Sequence, residues 1–170
     1  KPSITNVVSL DEKTVKVYWT FNSTISPTKF KILVSDFRGA NAAEWPSQLR
    51  RVNYDLTDEP YKTTLSLSNM DCFSQCLNDR PCKFAIRSSK VADGANCQLK
   101  NVTASTANGT TTNIDADSEY VELGAYSTEA TLTNVGVNMA YAFQVAVYDD
   151  FTNLWTNYSA SSYLDRSIRA

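Results

Sequence analysis

The sequence predicts a mainly β chain whose middle is interrupted by a small α+β segment stapled by disulfides. Three observations carry this. Stretches near both ends alternate apolar and polar residues with a period of two. All four cysteines lie between Cys72 and Cys97, and helical patterning outside residues 68–78 is scarce. A period of two places every second side chain on one face, as a strand with one buried face requires.

Along the first flank, Ile4 to Leu10 is a weak strand candidate. Thr14 to Phe21 is a stronger one, with Val15, Val17, Trp19 and Phe21 alternating with polar or amphipathic positions. Trp19 belongs in a core on this pattern. Lys29 to Ser35 repeats it with Phe30, Ile32 and Val34 inward, and Ala40 to Arg51 has the composition for a short turn of helix. Far down the chain, Ala140 to Tyr148 alternates again with Tyr141, Phe143, Val145 and Val147 inward, and Tyr158 to Leu164 is a weaker strand.

The middle segment holds DCFSQCLNDRPCKFAIR, Asp71 to Arg87, followed by Cys97. Ser68 to Asp71 fits a helix N-cap followed three residues later by an acid, a loose capping box. The helix then runs through Cys72, Phe73, Gln75, Cys76 and Leu77. A spacing of four puts Cys72 and Cys76 on one face, where both can point at a neighbouring strand. Arg80-Pro81 ends the helix, Cys82 to Ile86 reads as a strand, and Cys97-Gln98-Leu99 as another. A structural zinc site asks for paired ligands two to four residues apart, often with His, and the chain has no His. Disulfides explain the cluster better. Four cysteines allow three pairings, and a helix lying on a hairpin favours the nested one, Cys72–Cys97 outside Cys76–Cys82.

A chain of 170 residues can bury a sizeable core as one large domain or two small ones. With 16 basic and 18 acidic residues, its balance argues against nucleic acid or an anionic membrane as the main partner. The pair Arg50-Arg51 reads as a solvated face. No apolar run is long enough to cross a bilayer. There is no signal peptide and Lys1 is not an initiator Met, so the chain is expected to be mature, processed or trimmed. Sequons stand at Asn22, Asn101, Asn108 and Asn157. Together with the clustered cysteines they favour an oxidising location, secreted or at the cell surface. The polar stretch from Asn101 to Asn113 reads as a glycosylated, solvent-facing loop, with Thr110 to Thr112 open to O-linked sugar.

The pattern Cys-x3-Cys, a short polar turn, Cys-x-Phe and then Cys-x-Leu resembles the core of a PAN/apple domain. The resemblance covers roughly residues 52–126, with Tyr120 to Leu123 as a closing strand. It implies a helix tied to a small antiparallel sheet by nested disulfides. Apple domains often join their ends by a further disulfide, for which this chain has no cysteines. Its ends are then held by something else, such as a host domain. The flanks resemble a fibronectin type III domain. Pro2 leads a first strand, Trp19 sits where that family has its core Trp, and Val135 to Val147 is similar to Leu-x-Pro-Gly-x-x-Tyr-x-Phe-x-Val-x-Ala, with Val135 for Leu and Val137 for Pro. These resemblances imply an immunoglobulin-like, fibronectin type III-like sandwich split over residues 1–38 and 127–170. A linker at 39–51 and an apple-like insert at 52–126 lie between. The alternative is a generic immunoglobulin-like sandwich with an idiosyncratic disulfide loop.

For chemistry the residues offer little. Without His the usual triads are excluded in their His-dependent form, bridged cysteines provide no thiol, and no glycine-rich phosphate loop occurs among 5 glycines. Acidic clusters stand at Asp55, Asp58 and Glu59, at Asp115, Asp117 and Glu119, and at Asp149-Asp150. Asp115-Ala-Asp117-Ser-Glu119 spaces its oxygens as calcium loops do but lacks the Gly and distal Glu of an EF-hand, so it is a weak calcium candidate beside a solvated acidic loop. No cofactor is implied and no enzyme is expected. Trp45 and Trp155 sit in loop-like contexts, as contact anchors for protein or sugar or as lids over the join of host and insert. Two functions are then expected. The first is a structural or adhesive subunit of a surface or matrix assembly, self-assembling in fibril-like fashion through strand edges. The alternative is a receptor-ectodomain module binding a separate protein or glycan.

Overall fold

The computed structural model describes residues 1–22, 27–90, 95–136 and 139–166. Over these residues the protein is mainly β, with antiparallel sheets and one α-helix, and it divides into two compact units. One unit comprises Lys1–Gln48 with Ala125–Ala170; the other is Leu49–Gly124.

The first unit opens with β1 (Ser3–Ser9), β2 (Val15–Thr20), β3 (Lys29–Asp36) and β4 (Ala43–Trp45). β1 and β2 form an antiparallel pair. Between β3 and β4 the carboxylate of Asp36 accepts the N–H groups of Arg38 and Ala40, both at 2.9 Å, and Gly39 takes the left-handed φ of 81° that the turn needs. Ala40 to Arg51 does not form the expected helical turn. Pro46 has no N–H and holds Trp45 extended, so Ala43–Trp45 pairs with Ile32 to Val34 instead. The stretch read as a linker, 39–51, therefore carries β4 and the first strand of the second unit.

That second unit contains β5 (Leu49–Arg51), β6 (Asp55–Leu56), β7 (Lys62–Thr64), α1 (Asn69–Asn78), β8 (Phe84–Ser88), β9 (Cys97–Lys100), β10 (Thr111–Thr112) and β11 (Ser118–Leu123). Five of the strands make one antiparallel sheet in the order β5-β11-β8-β9-β7, while β6 and β10 form a short ribbon. The helix starts where its capping chemistry dictates. Ser68 Oγ accepts the N–H of Asp71 at 3.0 Å and Asp71 accepts the N–H of Leu67 at 2.8 Å. Its buried face is Cys72, Phe73, Cys76 and Leu77. Cys72 bonds Cys97 on β9, and Cys76 bonds Cys82 just before β8, which is the nested arrangement. Since Cys97 faces the helix, the strand alternation puts Leu99, Ala85 and Val121 on that same face. Phe84, Ile86 and Tyr120 point the other way and pack with Leu56.

The chain then returns to the first unit as β12 (Glu129–Leu132), β13 (Ala140–Asp149), β14 (Leu154–Trp155) and β15 (Ser162–Asp165). One sheet is β1-β2-β12; the other runs β14-β13-β3-β4, with β15 also on β13. Val15, Val17 and Trp19 from the first sheet share one buried cluster with Phe30, Ile32, Val34, Phe143 and Val145 from the second. The Trp19 and Phe30 rings lie 4.9 Å apart. The last strand is shorter than expected. From Thr156 to Ser159, side chains take over part of the ladder: Val147 N–H donates to Thr156 Oγ1 and Val145 N–H to Ser159 Oγ, both at 3.0 Å.

Candidate contact surface

Both tryptophans singled out by their loop-like contexts are half-buried. Trp45 lies on β4 opposite Ile32 and packs against the core cluster. Trp155 lies on β14 opposite Tyr148, whose ring meets it edge-on at 5.5 Å. The buried Lys31 Nζ sits 4.4 Å from the Trp155 ring and 3.1 Å from Glu44 Oε1, which also accepts the Tyr158 hydroxyl at 2.9 Å. A cation held between an aromatic face and a carboxylate locks these groups into the fold. Neither indole is presented to solvent as a free anchor.

Their neighbours are. In the turn joining β13 to β14, Phe151 is 82 % exposed and Leu154 66 %. The backbone beneath them is braced. Asp149 Oδ1 accepts the Phe151 N–H at 2.8 Å, its Oδ2 accepts the Thr152 hydroxyl at 3.0 Å, and Asn153 takes a left-handed φ of 59°. In the Leu49–Gly124 unit the link from β7 to α1 inverts the usual burial. Leu65 is 60 % exposed and Leu67 85 %, while Ser66 between them is 3 %. Asn96 grips Ser66 with three bonds: its Oδ1 accepts the Ser66 N–H at 2.7 Å and hydroxyl at 2.9 Å, and its Nδ2 donates to the Ser66 carbonyl at 3.0 Å. Arg87 Nε donates to Ser66 Oγ at 3.3 Å. The pattern Leu-Ser-Leu-Ser suggests a strand with leucines inward. Instead the short polar clamp turns them out.

The same unit has a shallow cleft of about 220 Å³, bounded by Asp55, Ile86, Gln98, Asp115, Ser118 and Tyr120. The three carboxylates of the calcium candidate do not converge there or elsewhere. Asp115 Oδ1 accepts the Asp117 N–H, Asp117 pairs with Lys90 at 2.7 Å, and Glu119 pairs with Arg51 at 3.0 Å. Among the described residues no group of three or more such side chains is placed to hold a metal. Other ionisable groups bond the fold internally. Buried Lys100 spans Asp55 and the Leu56 carbonyl. Tyr54 donates to Glu122, and its pKa is pushed up to about 12, first by burial and then by that carboxylate.

All four sequon asparagines are exposed: Asn22, Asn101, Asn108 and Asn157. Asn108 stands in a tight turn. Asp58 accepts the N–H of Asn108 and of Gly109, each at 3.0 Å, and a Cβ on Gly109 would lie 1.8 Å from Thr57 Oγ1, so glycine is required. Those amides, Asn108 first and Gly109 next, hold the Asp58 carboxyl below its ordinary 3.8. A depressed folded pKa means that the clamp is intact above the ordinary value and opens as pH falls through the folded one. Asn108 and Gly109 amide resonances should therefore titrate together with a midpoint below 3.8, read in an ¹⁵N–¹H titration. A midpoint at or above that value would mean that the two amides do not hold the Asp58 carboxylate.

No helix among the described residues is long and apolar enough to cross a membrane. No protein-family model matches the chain, and a search of curated proteins finds nothing similar.

Proposed function

We propose that this chain is a non-catalytic module of an extracellular glycoprotein, a structural or adhesive subunit that associates with copies of itself. We read its first unit as an immunoglobulin-like, fibronectin type III-like sandwich and the Leu49–Gly124 unit as an apple-like insert. Two sheets around one apolar cluster, and a helix tied by nested disulfides to an antiparallel sheet, support that reading. The two disulfides suit an oxidising compartment, and exposed sequons suit a glycosylated one.

The observation that carries the functional reading is the presentation of large apolar side chains on braced turns, Phe151 with Leu154 and Leu65 with Leu67. Single exposed leucines are ordinary. Contiguous exposed apolar surface marks interaction sites, and each of these turns presents two large apolar side chains close together in sequence. Strand edges support the reading unevenly. Those at β4, β5, β7 and β12 are short and carry Glu44, Arg50 and Arg51, Lys62 and Glu129, charges that discourage edge pairing, whereas the edge strand β1, Ser3–Ser9, is longer and uncharged.

Light scattering coupled to size exclusion on the glycosylated protein, with negative-stain imaging, should show species above monomer mass that grow with concentration. The second reading, a receptor module for a separate ligand, draws on the 220 Å³ cleft with its polar rim. It expects a strict monomer at every concentration, and that result would displace the first.

A further inference from the structure

Asn108-Gly109 is the one Asn-Gly step in the chain, and the Asn108 side chain is exposed. We infer that Asn108 is a site of spontaneous covalent rearrangement, closing to a succinimide and opening to isoaspartate, and that Asp58 restrains this reaction in the folded chain.

The chemistry needs only water. Glycine has no Cβ to crowd the approach of its nitrogen to the Cγ of the preceding asparagine. The bond from Gly109 N to Asn108 Cγ forms and the Cγ–Nδ2 bond breaks. The proton leaving the Gly109 nitrogen passes by way of water to Nδ2, which departs as ammonia. A second water then opens the ring at either carbonyl, giving aspartate or isoaspartate.

The fold cannot remove the reactive pair, because a Cβ at residue 109 would lie 1.8 Å from Thr57 Oγ1. It restrains the pair instead. Asp58 Oδ2 accepts the Asn108 N–H and Oδ1 the Gly109 N–H, each at 3.0 Å. Beside them the Thr57 N–H donates to the Thr110 carbonyl at 3.0 Å, and the Thr110 N–H to Thr57 Oγ1 at 2.9 Å. Two effects follow. The attacking nitrogen must shed its proton, and a carboxylate bound to that proton disfavours the nitrogen anion. The nitrogen must also swing toward Cγ, which these bonds oppose. Asp58 does not serve as the base, since a carboxylate held below its ordinary range binds protons too weakly.

The product undoes the restraint. Isoaspartate lengthens the backbone between residues 108 and 109 and sets a new carboxylate beside Asp58, where like charges repel. The ribbon that pairs Thr111 with Leu56 then loses its anchor. Nδ2 is also the atom to which an N-linked glycan attaches, so glycosylation and rearrangement exclude each other at Asn108, and conversion erases the sequon.

The test uses the full chain carrying T110A, which removes the sequon hydroxyl and keeps the backbone N–H and carbonyl of residue 110. Peptide mapping during incubation at mildly alkaline pH follows isoaspartate at residue 108. Folded T110A should convert about tenfold or more slowly than the same chain in denaturant, the factor that a hydrogen bond to a charged group contributes. D58A/T110A, shown to be folded by thermal unfolding, should convert nearly as fast as the denatured chain. Equal rates for folded and denatured T110A would overturn the restraint, a comparison that needs no Asp58 variant. A D58A/T110A rate at or below that of folded T110A would overturn Asp58 as its source. Absence of conversion in the denatured chain would overturn the site itself.

Discussion

Replacing Cys72 and Cys97 together by alanine should destabilise the Leu49–Gly124 unit by about 3.5 kcal/mol, whereas replacing Cys76 and Cys82 should cost about 2 kcal/mol. The difference follows from loop length. The first bridge closes a separation of 25 residues and the second one of 6, and the entropy removed from the unfolded chain grows with the logarithm of the loop. All four cysteines are fully buried, so loss of packing adds to both costs without reversing the order. The outer bridge joins α1 to β9, whereas the inner one closes a turn already tied by the Cys82 N–H to Asp79 carbonyl bond at 3.1 Å. Denaturant unfolding, followed by hydrogen exchange in peptides from residues 49–124, reads the two effects separately. Equal costs for the two bridges would contradict the loop-entropy account. The strand amides of β2, β3 and β13 belong to the other unit, and their exchange should change far less.

Phe143→Ala should cost about 3–5 kcal/mol, the range for removing a fully buried aromatic. Phe143 has no exposed surface, stands opposite Val34 on β3, and belongs to the cluster that both sheets of its unit share. The surrounding strands cannot close over the space without breaking their ladders, so the cavity persists. Phe151, on the turn that follows the same strand, is the matched control. With 82 % of its surface already in water, its replacement by alanine should stay within about 0.5 kcal/mol. Thermal or urea unfolding of the two variants decides between burial and aromatic character as the cause. Comparable losses would mean that Phe151 is covered in the protein in solution.

What was legible in the sequence is what local periodicity encodes. Val15, Val17 and Trp19, then Phe30, Ile32 and Val34, and then Phe143 and Val145 all read as inward-facing, and all sit in one core. Parity assigns each of them to one face, although β3 and β13 bury residues of the opposite face too, Lys29, Lys31, Ala142 and Ala146 among them. The helix was equally legible, because its start depends on Ser68 and Asp71, three residues apart in the chain. The sequence also limited the cysteines to three pairings, and it is the contact of α1 with its sheet that realises the nested one.

What only the tertiary structure decided concerns groups whose partners lie far along the chain. Ser66 is buried and its leucine neighbours are exposed because Asn96, 30 residues away, grips it. Trp155 is covered because Lys31 and Tyr148 come to it from other strands. Asp115, Asp117 and Glu119 look like a ligand set in sequence, yet Lys90 and Arg51 draw two of them apart. Alternation and capping act over two to four residues and can be read directly. A side chain's exposure and charge environment depend on which distant segments the fold brings beside it, and no local pattern records that.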